Sequence, residues 1–159
     1  MTTKTCPTCG QKLPEIKWIK IGYEQIPKKI FDRYGAKPFE IMEKRMRKPD
    51  GSVWNNISWK EAKKEAKKMG YRLPTINEML VLLDFYKMKY PKNSVCHQSF
   101  LGISELSCDE EICFEWVDAP VACSRSGYWG NGNNGGAFTL RLSWDASYRD
   151  SCMGFRCAR

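Results

Sequence analysis

Two helix starts, written in the same four-residue code, limit what this chain can fold into. Ser58-Trp59-Lys60-Glu61 and Thr75-Ile76-Asn77-Glu78 each place a hydroxyl residue three positions before a glutamate. In that arrangement the hydroxyl accepts a free amide of the first turn, and the glutamate reaches back to the N-terminal amide. The first helix continues through an Ala-Lys-Lys-Glu repeat and stops at Gly70. Its apolar stripe is Trp59, Ala62, Ala66 and Met69, with the lysines elsewhere. The second follows Pro74, with Ile76, Met79, Leu80, Leu83 and Tyr86 as its stripe. The expected helices span about residues 58–69 and 75–88.

Elsewhere the pattern is one of short strands. Residues 16–23 read as a first strand, and Pro27, Pro38 and Pro49 punctuate residues 24–50. A short helix is expected around Pro38 to Arg47, and Asp50-Gly51 is a turn. The run 138–143 alternates with period two, which puts Phe138, Leu140 and Leu142 inward and Thr139, Arg141 and Ser143 outward. The Gly-Asn segment 130–136 is a loop, because both residues tolerate positive φ. Two helices on short, mostly antiparallel strands with much irregular loop make an α+β domain.

The chain has 159 residues, 42% hydrophobic and 13% aromatic, which suits a single globular domain. No apolar run approaches the roughly 20 residues of a membrane span. The start, MTTKTCPTCG, has no apolar signal region, so a cytoplasmic or virion-associated protein is expected. Residues 1–90 carry 20 basic and 10 acidic side chains, while residues 91–159 carry six and eight. A basic half can contact nucleic acid, but most of these lysines fit a solvated helix face, which is the preferred reading.

Residues 1–14 form an N-terminal segment apart from the domain at 15–159. Cys6-Pro7-Thr8-Cys9-Gly10 has zinc-knuckle spacing, and two thiolates there can grip one tetrahedral ion. They supply two of the four ligands that a structural zinc takes. Cys96, His97, Cys108, Cys113 or a second copy could supply the others, and a metal-free tail is the equal alternative. No other pattern requires a cofactor. Cys108, Cys113, Cys123 and Cys157 read as small buried hydrophobes, and Cys123 and Cys157 could approach if they lie on neighbouring strands.

The stretch from Arg125 to Arg159 mixes two kinds of position. Gly127, Trp129, Gly132, Gly136, Ala137, Phe138, Leu140, Leu142, Gly154, Phe155 and Arg156 form a frame. Between them stand Tyr128, Gly130, Asn131, Asn133, Arg141, Ser143, Trp144, Tyr148, Arg149, Asp150, Ser151 and Cys152, which share no charge, size or polarity. Aromatic and arginine anchors among small adaptable residues are the composition of a binding surface. The frame, with Arg125 and Ser147, resembles the variable region of proteins diversified by diversity-generating retroelements. The spacing from Gly136-Ala137-Phe138 to Gly154-Phe155-Arg156 matches without a gap. In that family, error-prone copying of template adenines rewrites Asn codons. Gly130, Asn131, Arg141, Ser143, Tyr148, Asp150, Ser151 and Cys152 fit that origin, and Trp144 departs from it.

A second resemblance covers roughly residues 53–159. Trp59 to Glu78, with Arg72-Leu73-Pro74-Thr75, resembles a segment of the formylglycine-generating enzyme, or sulfatase-modifying factor, branch of the C-type lectin fold. Glu111 to Val117, then Arg125, Gly127 and Trp129, and Gly154-Phe155-Arg156-Cys157 match further segments in order. The resemblance implies a C-type lectin-like fold. It makes Trp116, Trp129, Phe138 and Phe155 core residues and Arg125 and Arg156 structural, while Arg141 and Arg149 read as surface binders.

Three functions compete on these residues. The first is a non-enzymatic binding protein that displays rewritable positions on a constant scaffold, its expected partner a protein surface. The second is an oxidase like the namesake enzyme. That needs two reactive cysteines upstream of the Gly154-Phe155-Arg156-Cys157 segment, but Cys152 and Cys157 stand in the wrong place and residues 124–151 hold none. The third is nucleic-acid binding through the basic half, which predicts a steep salt dependence. The first fits the frame best.

Overall fold

A computed structural model of the chain describes residues 10–12, 15–89, 114–125, 140–142 and 144–159. Strand β1, Trp18–Ile21, pairs antiparallel with β2, Phe39–Met42, with Ile21 opposite Phe39. Between them runs helix α1, Lys28–Tyr34. Pro27 sets its entry, a Lys28–Asp32 pair at 2.8 Å spans one turn, and Gly35 closes it at φ 62. Glycine takes that left-handed cap without steric cost.

The expected helix over Pro38–Arg47 is therefore corrected: the chain there is strand, and the extra helix lies just before it. Phe39 and Ile41 are both buried and face one core, whereas Met42 faces another. β2 also has a second partner. The amides of Glu40 and Met42 donate to the carbonyls of Arg159 and Cys157. A strand paired along both edges outweighs a local helical preference.

Helices α2, Trp59–Lys68, and α3, Ile76–Lys89, occupy the two capped segments. The Ser58 hydroxyl accepts the Glu61 amide, and Glu61 Oε2 accepts the Ser58 amide at 3.0 Å. Thr75 and Glu78 repeat the exchange at 3.2 and 2.8 Å. α2 buries Ala62 and Ala66 on one side. α3 is sunk more deeply than its stripe suggests, since Val81 and Leu82 are fully buried beside Met79 and Leu83.

The remaining strands are β3, Phe114–Val117, β4, Cys123–Arg125, β5, Leu140–Arg141, and β6, Met153–Gly154. They form one sheet in the order β5-β4-β3-β6, antiparallel except for β3 with β6. β3 separates two cores. Trp116 packs with α2, Phe155 and Cys157, while Val117 packs with β1, β2, α1 and α3. Opposite facing of neighbours is what the strand pleat dictates. The result is an α+β domain, with three helices among the described residues rather than two.

One residue breaks the expected alternation. Leu142 is 61% exposed, not inward. Among the described residues β5 is the sheet edge and pairs at Leu140 and Arg141, so no described ladder bond holds the next residue to the pleat.

The C-terminal frame is locked by charge as well as by packing. Glu115 is fully buried and takes Arg45 Nε at 2.7 Å and Arg156 Nη2 at 2.7 Å. Burial alone pushes its carboxyl up, but the guanidinium groups of Arg156 and Arg45 outweigh this and hold it below the usual carboxylate range. Arg156 is thus structural.

Candidate functional site

Six of the twelve expected binding positions, Trp144, Tyr148, Arg149, Asp150, Ser151 and Cys152, lie on one continuous segment, residues 144–152, leading into β6. It rests on residues 55–61, the turn before α2 and its first helical residues. The seat is built largely from main-chain atoms. The Asn56 amide donates to the Asp150 carbonyl at 3.1 Å, and the Lys60 amide to the Ala146 carbonyl at 3.4 Å. Asn55 Nδ2 donates to the Ser151 carbonyl at 3.1 Å. Asn56 sits at φ 51, a left-handed conformation that asparagine takes more readily than most residues. A carbonyl accepts equally well whatever side chain its residue carries, so these bonds survive substitution.

Within the segment the side chains divide. Arg149 and Ser151 are exposed. Trp144, Tyr148 and Cys152 are half-buried and lie against the core around Trp116 and Phe155. Trp144 and Tyr148 stack with ring centroids 4.1 Å apart and an interplanar angle of 23°. Asp150 turns back on its own loop: Oδ1 accepts the Cys152 amide at 2.9 Å and Oδ2 the Tyr148 hydroxyl at 2.9 Å. The Cys152 amide first, then the Tyr148 hydroxyl, hold its carboxyl below the ordinary range. The frame residue Ser147 has a local role, since its amide and hydroxyl both donate to Asp145.

Arg141 has its backbone in β5, opposite Ser124, and its side chain lies outside the described residues. Tyr128, Gly130, Asn131, Asn133 and Ser143 also lie outside them, as do Trp129, Phe138, Cys6, Cys9, His97, Cys96, Cys108 and Cys113. Of the described cysteines, Cys123 and Cys157 are buried and belong to different cores, and Cys152 is half-buried.

Three residues from outside the C-terminal stretch belong to this site. Asn55 and Asn56, which no sequence pattern singles out, are half of the seat. Glu61 reads as a helix cap, yet its second oxygen takes Arg149. A cleft of about 230 Å³ opens elsewhere, between residues 15–17 and 42–47, and shares no residue with the segment. Among the described residues, no helix is long and apolar enough to cross a membrane.

The division predicts a graded response. Arg149→Ala and Ser151→Ala each change unfolding free energy by less than about 0.5 kcal/mol. Asp150→Ala, which strips the Cys152 amide and the Tyr148 hydroxyl, costs about 1–2 kcal/mol. Denaturant titration of the three variants measures this, and equal losses at all three would contradict it.

No known protein family and no curated protein matches the chain. Three solved structures match it: the Major Tropism Determinant U1, I1 and M1 variants, each with a TM-score of 0.45. Identities are 12%, 11% and 12%, over 80%, 89% and 98% of this chain and 46%, 48% and 53% of theirs. The chain thus spans about half the length of those proteins.

Proposed function

We propose that the chain is a non-enzymatic binding protein that displays rewritable side chains on a constant scaffold of the C-type lectin kind. The variable face recognises a protein surface. One observation carries the reading: residues 144–152 are seated on residues 55–61 through their carbonyls at Ala146, Asp150 and Ser151. A segment seated by its main chain tolerates new side chains at its outward positions without opening a cavity. The match of frame and spacing to retroelement-diversified regions supports the same reading from the sequence. Arg149 and Ser151 are exposed members of the segment. Trp144 and Tyr148 are aromatic anchors at its base.

An oxidase reading is weaker on physical grounds. Cys157 is fully buried in the core and Cys152 half-buried, and buried apolar surroundings make a thiol inert.

Sequencing many copies of the gene tests the proposal. Changes are expected to cluster at the variable positions, with a near-copy of the 3′ end beside a reverse transcriptase gene. Variation spread evenly over residues 15–159 would remove the basis for a rewritable face.

A further inference from the structure

We infer that Glu61, a constant residue of α2, determines specificity within the recognition face by fixing the side chain at position 149 for an acidic group on a protein partner. This rests on the proposed function, in which position 149 is rewritable and faces the partner. Glu61 is held from two directions. Its Oε2 takes the Ser58 amide at 3.0 Å and the Ser58 hydroxyl at 2.7 Å. Buried Ala62 and Ala66 fix the helix that carries it. Its Oε1 is left facing residues 144–152, where it takes Arg149 Nη2. Burial pulls the carboxyl up, but the Ser58 amide, the Ser58 hydroxyl and Arg149 together hold it below its ordinary value.

A charged acceptor therefore stands beside position 149 whatever residue is written there. A basic residue is drawn onto it, an acidic one is repelled, and a small neutral one leaves Oε1 open to the partner. In this chain the side chain of Arg149 is 53% exposed, so about half of it still faces solvent while Nη2 is held. The held edge matters more for binding than for stability. An exposed pair contributes little to folding. A long side chain that is already ordered loses less freedom on association, which amounts to about threefold to tenfold in affinity. The planar fork, oriented this way, matches a carboxylate.

The probe is a set of random peptides, enriched by panning a displayed library on the whole chain and then measured singly. Peptides that depend on Arg149 are expected to be rich in Asp and Glu. Glu61→Gln weakens them about threefold to tenfold while keeping the helix cap, because glutamine serves that cap as well. Arg149→Gln, which leaves α2 untouched, is the second variant and loses at least as much. In an Arg149→Gln background, Glu61→Gln has no further effect. Unchanged affinity in Glu61→Gln, or the same loss with and without Arg149, overturns the role of Glu61. Peptides indifferent to both residues but sensitive to Trp144 or Tyr148 also overturn it and leave the proposed function standing. If no peptide is enriched, or none responds to any residue from 144 to 152, the proposed function fails and this inference with it.

Discussion

Glu115→Gln lowers the free energy of unfolding by about 3–5 kcal/mol, a large share of the roughly 5–15 kcal/mol that a domain has in total. The mutation leaves two fully buried guanidinium groups facing a neutral amide. Burying charge is tolerable only when it is paired and hydrogen-bonded, and Glu115 is the carboxylate that both arginines share. The loss is global, because Glu115 on β3 ties the loop after β2 to the C-terminal frame. Denaturant titration at neutral pH measures it, and a loss below about 1 kcal/mol would show that the cluster is held by something else. The same residue sets an acid limit. Its folded pKa lies below the unfolded value, so its stabilisation is fully present above about pH 4.3 and fades as pH falls through the folded value. Wild type therefore loses stability on acidification more steeply than Glu115→Gln. Some slope persists in the variant, since Glu61, Asp50, Asp145 and Asp150 shift in the same direction.

Trp116→Ala costs about 3–5 kcal/mol, by the cavity left when a large buried aromatic is deleted. Trp116 has no exposed surface and stands among Ala62, Met153 and Phe155 in the α2 core. Trp116→Phe is the more informative change. It removes the indole N–H that donates to the Ile57 carbonyl at 2.8 Å and leaves that carbonyl unpaired. The orphaned group costs about 1–3 kcal/mol. Ile57 lies inside the seat for residues 144–152, so the damage is expected to reach that segment. Amide exchange at Asn56 and Lys60, whose N–H groups hold Asp150 and Ala146, is expected to quicken in Trp116→Phe. Exchange that quickens only in the strands, with those two amides unchanged, would mean that the seat does not depend on the tryptophan.

The sequence places α2 and α3 to within a residue or so, because capping boxes, Gly70 and Pro74 act over four or five positions. Through the family resemblance it also implies Trp116 and Phe155 as core and Arg156 as structural, and all three are fully buried. Several things escape it. Arg45 is 70 residues from the carboxylate it neutralises, in a segment with no distinctive pattern. The swap of helix for strand around Phe39–Met42 comes from a second partner at the far end of the chain, residues 157–159. Leu142 faces solvent because pairing stops one residue earlier.

Residues 144–152 show the same boundary between what is local and what is not. Its identity as a framed stretch of unlike residues can be read from the letters alone, since frame and spacing are properties of order. Which of those residues point outward depends on the seat at Asn55, Asn56 and Lys60, almost a hundred positions away along the chain. Cap and turn energies are set by neighbours in sequence. Burial, buried-charge pairing and the direction of a side chain are set by neighbours in space, and only the packed molecule brings those together.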